Sequence, residues 1–511
     1  MRTRTNSRNA FAGLLGFFGI GIAMLSSTSN ASGQISLSPG IANVRDFQAA
    51  GDGVTDDTVS VKQALAAALR AKGTVYFPPG TYVLSDTLEV TDTVALVGAG
   101  WGSTLRLKSG VRKVMILVQG MSSTGETFGF HASNFVLDGS QGGQLDAGLL
   151  QINSAVGFVV DHLWVRNGGR PGESRSQGVG GIAIAVKSLR NRVSSRGVVL
   201  NSLIEETTKP GIVWSTHATD GLISGNVIRG ASGNSQTPCL AISEGRNVTV
   251  VGNSVSRCEG SGISIANGSN NVAPLHAIVA NNHAYANGTG LVEGNGIQVV
   301  NAAPDRTAFI EITGNVLYEN SGAGDGYGIL VQNVDHVVVK GNIVRNNKRS
   351  GIVLYNVSGG IVEGNYVFGN NKLGTPEHSG IMLHQVRRIQ LTGNFVSDDE
   401  SMPTQAYGLF FSGTTPSDRV WVSNNVLYPN KHGAWRGHSV PSNTVFLGNR
   451  TGDDSQLVLG PPTPGGQLEI TATTSGAPAA TGGAAAGPSL PALYLDVKYG
   501  GKIYKVPLYN P

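Results

Sequence analysis

The chain has 511 residues, of which 14% are charged and 72 are glycine, and its formal net charge is +4. So much glycine and so little charge exclude a disordered or coiled-coil chain and fit a turn-rich all-β one. The mild positive balance suits an acidic polymer, and the lack of any Lys/Arg block or nucleic-acid motif disfavours nucleic acid as a partner.

Residues 1–31 read as a signal peptide. Arg2, Arg4 and Arg8 precede an apolar run from Ala10 to Leu25, and Ser29-Asn30-Ala31 offers small residues for cleavage. No later segment is apolar over the length a bilayer demands, so the mature protein is expected to lack a membrane span. Its expected location is secreted, extracellular or periplasmic. Cys239 and Cys258 fit either a disulfide, which that compartment permits, or two buried thiols. Their spacing is not that of a metal site.

Residues 32–120 read as an N-terminal cap and the first coils. Thr55, Asp56 or Asp57 can cap a helix whose apolar residues Val61, Leu65, Ala68 and Leu69 fall at helical spacing. Lys72-Gly73 stops it, and TVYF begins a strand closed by Pro78-Pro79-Gly80. A helix at this point would cover the open end of a solenoid. Asp52, Asp56 and Asp57 would admit calcium, but their place at a helix start favours capping, and no cofactor is otherwise implied.

The phrases DFQAAGDGVTDDT and GTVYFPPGTY resemble the opening segment of the pectate lyase superfamily, in the version shared by bacterial polysaccharide epimerases and lyases and some phage tailspikes. That resemblance implies a right-handed parallel β-helix and leaves the activity open.

Residues 121–452 repeat one phrase, an apolar strand, a turn, a second strand and an Asn, as in GIVLYNVSGGIVEGN from Gly351 to Asn365. Asn201, Asn226, Asn253, Asn282, Asn315, Asn342, Asn365, Asn394, Asn425 and Asn449 mark its period. Short strands at such a period with no intervening helix specify a solenoid. The expected fold is all-β: a right-handed parallel β-helix of ten to twelve coils with Asn or Gly at its corners. Residues 453–490, rich in Gly, Ala, Pro and Thr, read as a linker, and 491–511 as a hairpin about Gly500-Gly501, a candidate for attachment or assembly.

In a strand G-I-x-L-x-N the Ile and Leu point inward and the x positions outward. The second x positions are Ala185, Ser215, Ser243, Ala266, Val300, Gln332, Tyr355, His384 and Ser412. Gln332, Tyr355 and His384 are consecutive large polar residues in that row. Tyr355 and His384 are candidate acid and base, with Gln332 beside them and Arg387 and Arg388 placed to neutralise a carboxylate. A second candidate stacks Lys187 on His217, with Glu244 and Arg246 on the coil above. The basic stretch from Arg166 to Arg196, including Arg170 and Arg175, could clamp carboxylates or sulfates. Polar ladders also decorate β-helix faces without function.

The polygalacturonase signatures N-T-D-G, G-H-G and R-I-K are absent. The strand Pro210–Ser215 lacks the Tyr, Asp and His of the mannuronan epimerases' Y-G-F-D-P-H. Two readings follow: a lyase or C5-epimerase of an acidic, uronic-acid polysaccharide, or a non-catalytic carbohydrate-binding or structural surface protein.

Overall fold

The computed structural model describes residues 40–452, apart from 121–126, 141–143, 146–147, 170–178, 190–191, 234–236, 269–274, 291–292, 304–305, 399–400 and 439–442, and the strands at 456–459, 468–473, 493–499 and 502–508. The expected signal peptide, Arg170 and Arg175 lie outside the described residues.

Three long parallel sheets wind into a right-handed β-helix. One coil shows the plan. Ile329–Gln332 belongs to the first sheet, Asp335–Lys340 to the second and Ile343–Arg345 to the third. Each pairs in parallel with its counterpart one coil on, at Ile352–Tyr355, Ser358–Glu363 and Tyr366–Phe368. Among the described residues the second sheet has 15 strands and the others 13 each. Inward residues such as Val331, Leu354 and Leu383 are fully buried in one continuous core, each stabilising by roughly 1.5–3 kcal/mol relative to exposure.

The corners divide two tasks between neighbouring residues. Gly225, Gly252, Asn281, Gly314, Gly341, Gly364, Gly393, Asn424 and Gly448 take the left-handed conformation. The Asn that follows each turns inward. From Asn226 to Asn449, each side-chain amide donates to the next Asn Oδ1 at 2.8–3.0 Å. Asn201 stands outside this ladder: its amide reaches Asp161 on the surface, and Ser202 takes the inner place, donating its backbone N–H to Asn226 Oδ1. A second buried ladder joins Asn287, Asn320, Asn347, Asn370, Gln405 and Asn430.

Cys239 and Cys258 form a disulfide between neighbouring coils. The single α-helix among the described residues, Thr58–Ala71, buries Val61, Ala64, Leu65 and Ala68 in the core at the first coil, while Leu69 is only partly covered. At its N-terminus Asp56, one of the expected capping residues, accepts from the N–H of Thr58, the first helical residue, while Asp57 makes no capping bond. Asp57 accepts instead from the Ala50 and Gly51 N–H groups, Asp52 from Val54 and Thr55, and Asp56 from Thr58. Asp57 thus ties Ala50 and the start of the GDG turn to the start of the helix, while Asp52 closes the turn on itself. At the other end Leu493–Tyr499 and Lys502–Leu508 pair antiparallel, and Gln456–Leu459 and Leu468–Thr473, inside the stretch read as a linker, extend them to four strands. No helix among the described residues is long and apolar enough to cross a membrane.

Candidate functional site

Register decides which outward side chains meet. Along the first sheet the outer row runs Asn153, Lys187, Ser215, Ser243, Ala266, Val300, Gln332, Tyr355, His384 and Ser412. Ala185 does not belong to it. The strand Ile182–Lys187 pairs two residues out of step when counted from its Gly, so Ala185 lies beside Val213 and is fully buried. The same shift breaks the expected Lys187–His217 stack: Lys187 lies beside Ser215, and His217 sits exposed at the corner, where its backbone N–H donates to the backbone carbonyl of Glu244. Arg246 opens a strand of the second sheet, beside Thr219. Lys187 is six rungs, roughly 29 Å, from Tyr355, too far to share a site.

The Gln332–Tyr355–His384 group does come together. Tyr355 is 37% exposed, and its ring lies over the imidazole of His384 with 4.1 Å between centroids and 6° between planes. The rings are stacked face to face. His384 Nδ1 is 3.1 Å from Ser412 Oγ, and burial lowers the imidazole below its usual pKa, so it is neutral at neutral pH. Gly413 lies against the same ring, where a Cβ would come within 3.0 Å of His384 Cε1. Phenol, neutral imidazole and the Gln332 amide therefore line one exposed edge, able to accept a proton, donate one and hydrogen-bond a polar ligand.

The arginines expected beside them are elsewhere. The chain turns a corner after His384. Arg387 begins a strand of the second sheet near Asp418 Oδ2, 4.0 Å away, and Arg388 lies on that sheet's outer face, donating to Ser358 Oγ at 2.9 Å. The basic stretch from Arg166 is not one loop either. The strand Ile182–Lys187 passes through it, and Arg166 is held by Asp138 at 3.1 Å and stacked over Trp164.

A further cluster escaped sequence reasoning. The other outward row of the first sheet, Leu330, Val353, Met382 and Phe410, is a buried apolar strip on which Tyr327 packs. Tyr327 meets His378 edge to face at 5.9 Å, and the Arg349 guanidinium lies 5.9 Å over the Tyr327 ring. Burial raises the Tyr327 phenol and the Asp325 carboxyl, and it lowers His378 to about 4. Tyr327 immediately precedes the strand's Gly, and Tyr407 repeats that placement at Gly408. That recurrence was the available signal.

Residues 41–155 match the family described as rhamnogalacturonase A/epimerase, pectate lyase-like. Residues 179–327 match the right-handed β-helix region, and residues 280–451 match the periplasmic copper-binding protein NosD. Mannuronan C5-epimerase AlgE6 of Azotobacter vinelandii is 40% identical over 114 residues, 20% of this chain and 13% of that protein. Alginate lyase 7 of the same organism is 37% identical over 108 residues, 19% and 13%. The chain therefore spans about an eighth of the length of these curated relatives. The solved A-module of AlgE6 superposes with a TM-score of 0.54 at 21% identity, covering 80% of this chain and 98% of that one. The disulfide and the match to a periplasmic family point to a location outside the cytoplasm. From its coils, its opening segment and these matches, the chain has the right-handed β-helix fold and is similar over residues 41–155 to the pectate lyase-like superfamily.

Proposed function

We propose that the protein acts on an acidic, uronic-acid polysaccharide outside the cell or in the periplasm, by β-elimination or C5 epimerisation, at the outer edge of the first sheet. The observation that supports this best is the exposed, in-register Tyr355–His384 pair. Both reactions begin with removal of the C5 proton. His384, neutral because it is partly desolvated, is the base, and the Tyr355 hydroxyl beside it donates a proton to the leaving oxygen in elimination, whereas in epimerisation the opposite face of C5 takes its proton from water. Gln332, next in the row, hydrogen-bonds the carboxylate on which charge builds. The similarity to mannuronan C5-epimerases and an alginate lyase supports the reaction class and the acidic substrate.

Among the described residues no three His, Cys, Asp or Glu side chains gather. A second reading, carbohydrate binding without turnover, draws on the stacked ring geometry, which equally makes a platform for a sugar. Ultraviolet absorbance of the unsaturated product, followed over a panel of uronic-acid polymers, tests the lyase form. A rise that vanishes in Tyr355→Phe and His384→Ala supports it. Absence of any rise, with no C5 exchange either, favours the binding reading.

A further inference from the structure

The second sheet carries an open groove of about 780 Å³ on its outer face, around a corner from the Tyr355–His384 edge. Register builds it from one row: Asn247, His276, Phe309, His336, Gly359 and Arg388. Phe309 is 55% exposed, and beside it Ile278 and Ile361 are 43% and 39% exposed. Its ring meets His276 edge to face at 4.9 Å and stacks on His336 at 5.4 Å, 14° from parallel. A bulge between Thr307 and Ile310 sets Phe309 opposite His336.

The next rung has no side chain. Gly359 adopts φ +75°, and a Cβ there would stand 3.4 Å from the His336 ring, so the glycine leaves a notch between that ring and Arg388. Arg388 is fixed to Ser358 through one nitrogen, which leaves further guanidinium donors, and Arg419 follows it on the next coil. Glu311 is the acid in the lining. The row therefore passes from exposed rings, through a gap, to the Arg388 cation over rungs about 4.8 Å apart, while Arg419 beyond it is paired with Asp418 at 3.4 Å.

We infer that this groove is a second, non-catalytic binding site for a strand of uronic-acid polysaccharide, running along the helix axis with sugar rings on Phe309 and His336 and a carboxylate over Gly359 against Arg388. The apolar faces of pyranose rings suit the exposed aromatic platform, and the free guanidinium donors of Arg388 complement the carboxylate in charge. The choice of an acidic polymer rests on the proposed function; the groove's geometry does not. A chain held here would be kept close to the first-sheet edge, raising its effective concentration there.

The test is calorimetric titration of polygalacturonate, polymannuronate and a neutral glucan into the full-length Tyr355→Phe/His384→Ala protein, in which the proposed catalytic pair is disabled. Binding of a polyuronate, weakened at least about tenfold by adding Phe309→Ala or Arg388→Ala, is expected. A Gly359→Leu change, filling the notch, should do the same. Sedimentation velocity on the same samples checks assembly. Unchanged polyuronate affinity in all three variants overturns the proposal, as does equal binding of the neutral glucan. It is also overturned if Phe309→Ala dissociates a dimer, since the groove would then be covered by a second copy. Turnover lost in Tyr355→Phe but kept in Phe309→Ala leaves the proposed function standing whatever the groove does. Polyuronate binding without turnover in the native protein leaves the groove standing alone.

Discussion

Asn315 gives both its backbone N–H and its side-chain amide to one oxygen, Oδ1 of Asn342, each at 2.9 Å. Both residues are fully buried. Truncating Asn342 to Ala strands the Asn315 backbone N–H where water does not reach, at a cost of roughly 1–3 kcal/mol, while the Asn315 side-chain amide keeps the Val279 and Thr313 carbonyls. Asn342→Ala should therefore lower unfolding free energy by about 2 kcal/mol, read from urea midpoints. Asn201→Gly, outside the ladder and at a corner of φ +46° that glycine accommodates, should change it little.

The Cys239–Cys258 bond closes a loop of 19 residues. Such a closure contributes about 3 kcal/mol by restricting the unfolded chain. The double variant Cys239→Ala/Cys258→Ala should lose about that much and become insensitive to reductant, measured as the urea midpoint with and without dithiothreitol.

His378 ties stability to acidity. Burial holds its imidazole at about 4 rather than 6.5, and the nearby Arg349 adds to the effect. The unfolded chain takes up this proton near pH 6.5, the folded one only near pH 4. Its contribution is thus present above pH 6.5 and is lost as pH falls toward 4, up to about 3 kcal/mol. Urea midpoints above and within that window should diverge less in His378→Gln than in the native protein.

If His384 is the base, turnover depends on its neutral form. Burial lowers its pKa below 6.5, so the acid limb of the rate profile should lie below that value and the rate should be flat at neutrality. A limb at or above 6.5 would assign the base to another group.

The fold was legible because its strongest signals are local: short apolar strands, a recurring Asn, and a GDG-TDDT opening that Asp57 knits to the start of the helix. What resisted reading depended on register. Lys187 looked like a partner of His217 when counted from its Gly, yet a two-residue shift in one strand moves it beside Ser215. Arg387 and Arg388 are close to His384 in sequence, but the corner between two sheets turns Arg388 onto another face. Tyr355 and His384 were legible because their strands share one spacing and no shift intervenes. The Tyr327, Arg349 and His378 cluster comes from three connecting segments whose meeting no periodicity encodes. The second Asn ladder was readable in principle: Asn287, Asn320, Asn347, Asn370 and Asn430 each fall five residues after a member of the first.

The central claim is removal of a C5 proton at the Tyr355–His384 pair. Proton NMR of uronic-acid polymers incubated with the protein in deuterium oxide tests it most directly, because elimination and epimerisation both erase the C5 proton signal. The account predicts that at least one polymer in the panel loses that signal with the native protein and keeps it with Tyr355→Phe and His384→Ala. Retention of the signal by every polymer with the native protein, or its undiminished loss with both variants, would contradict it.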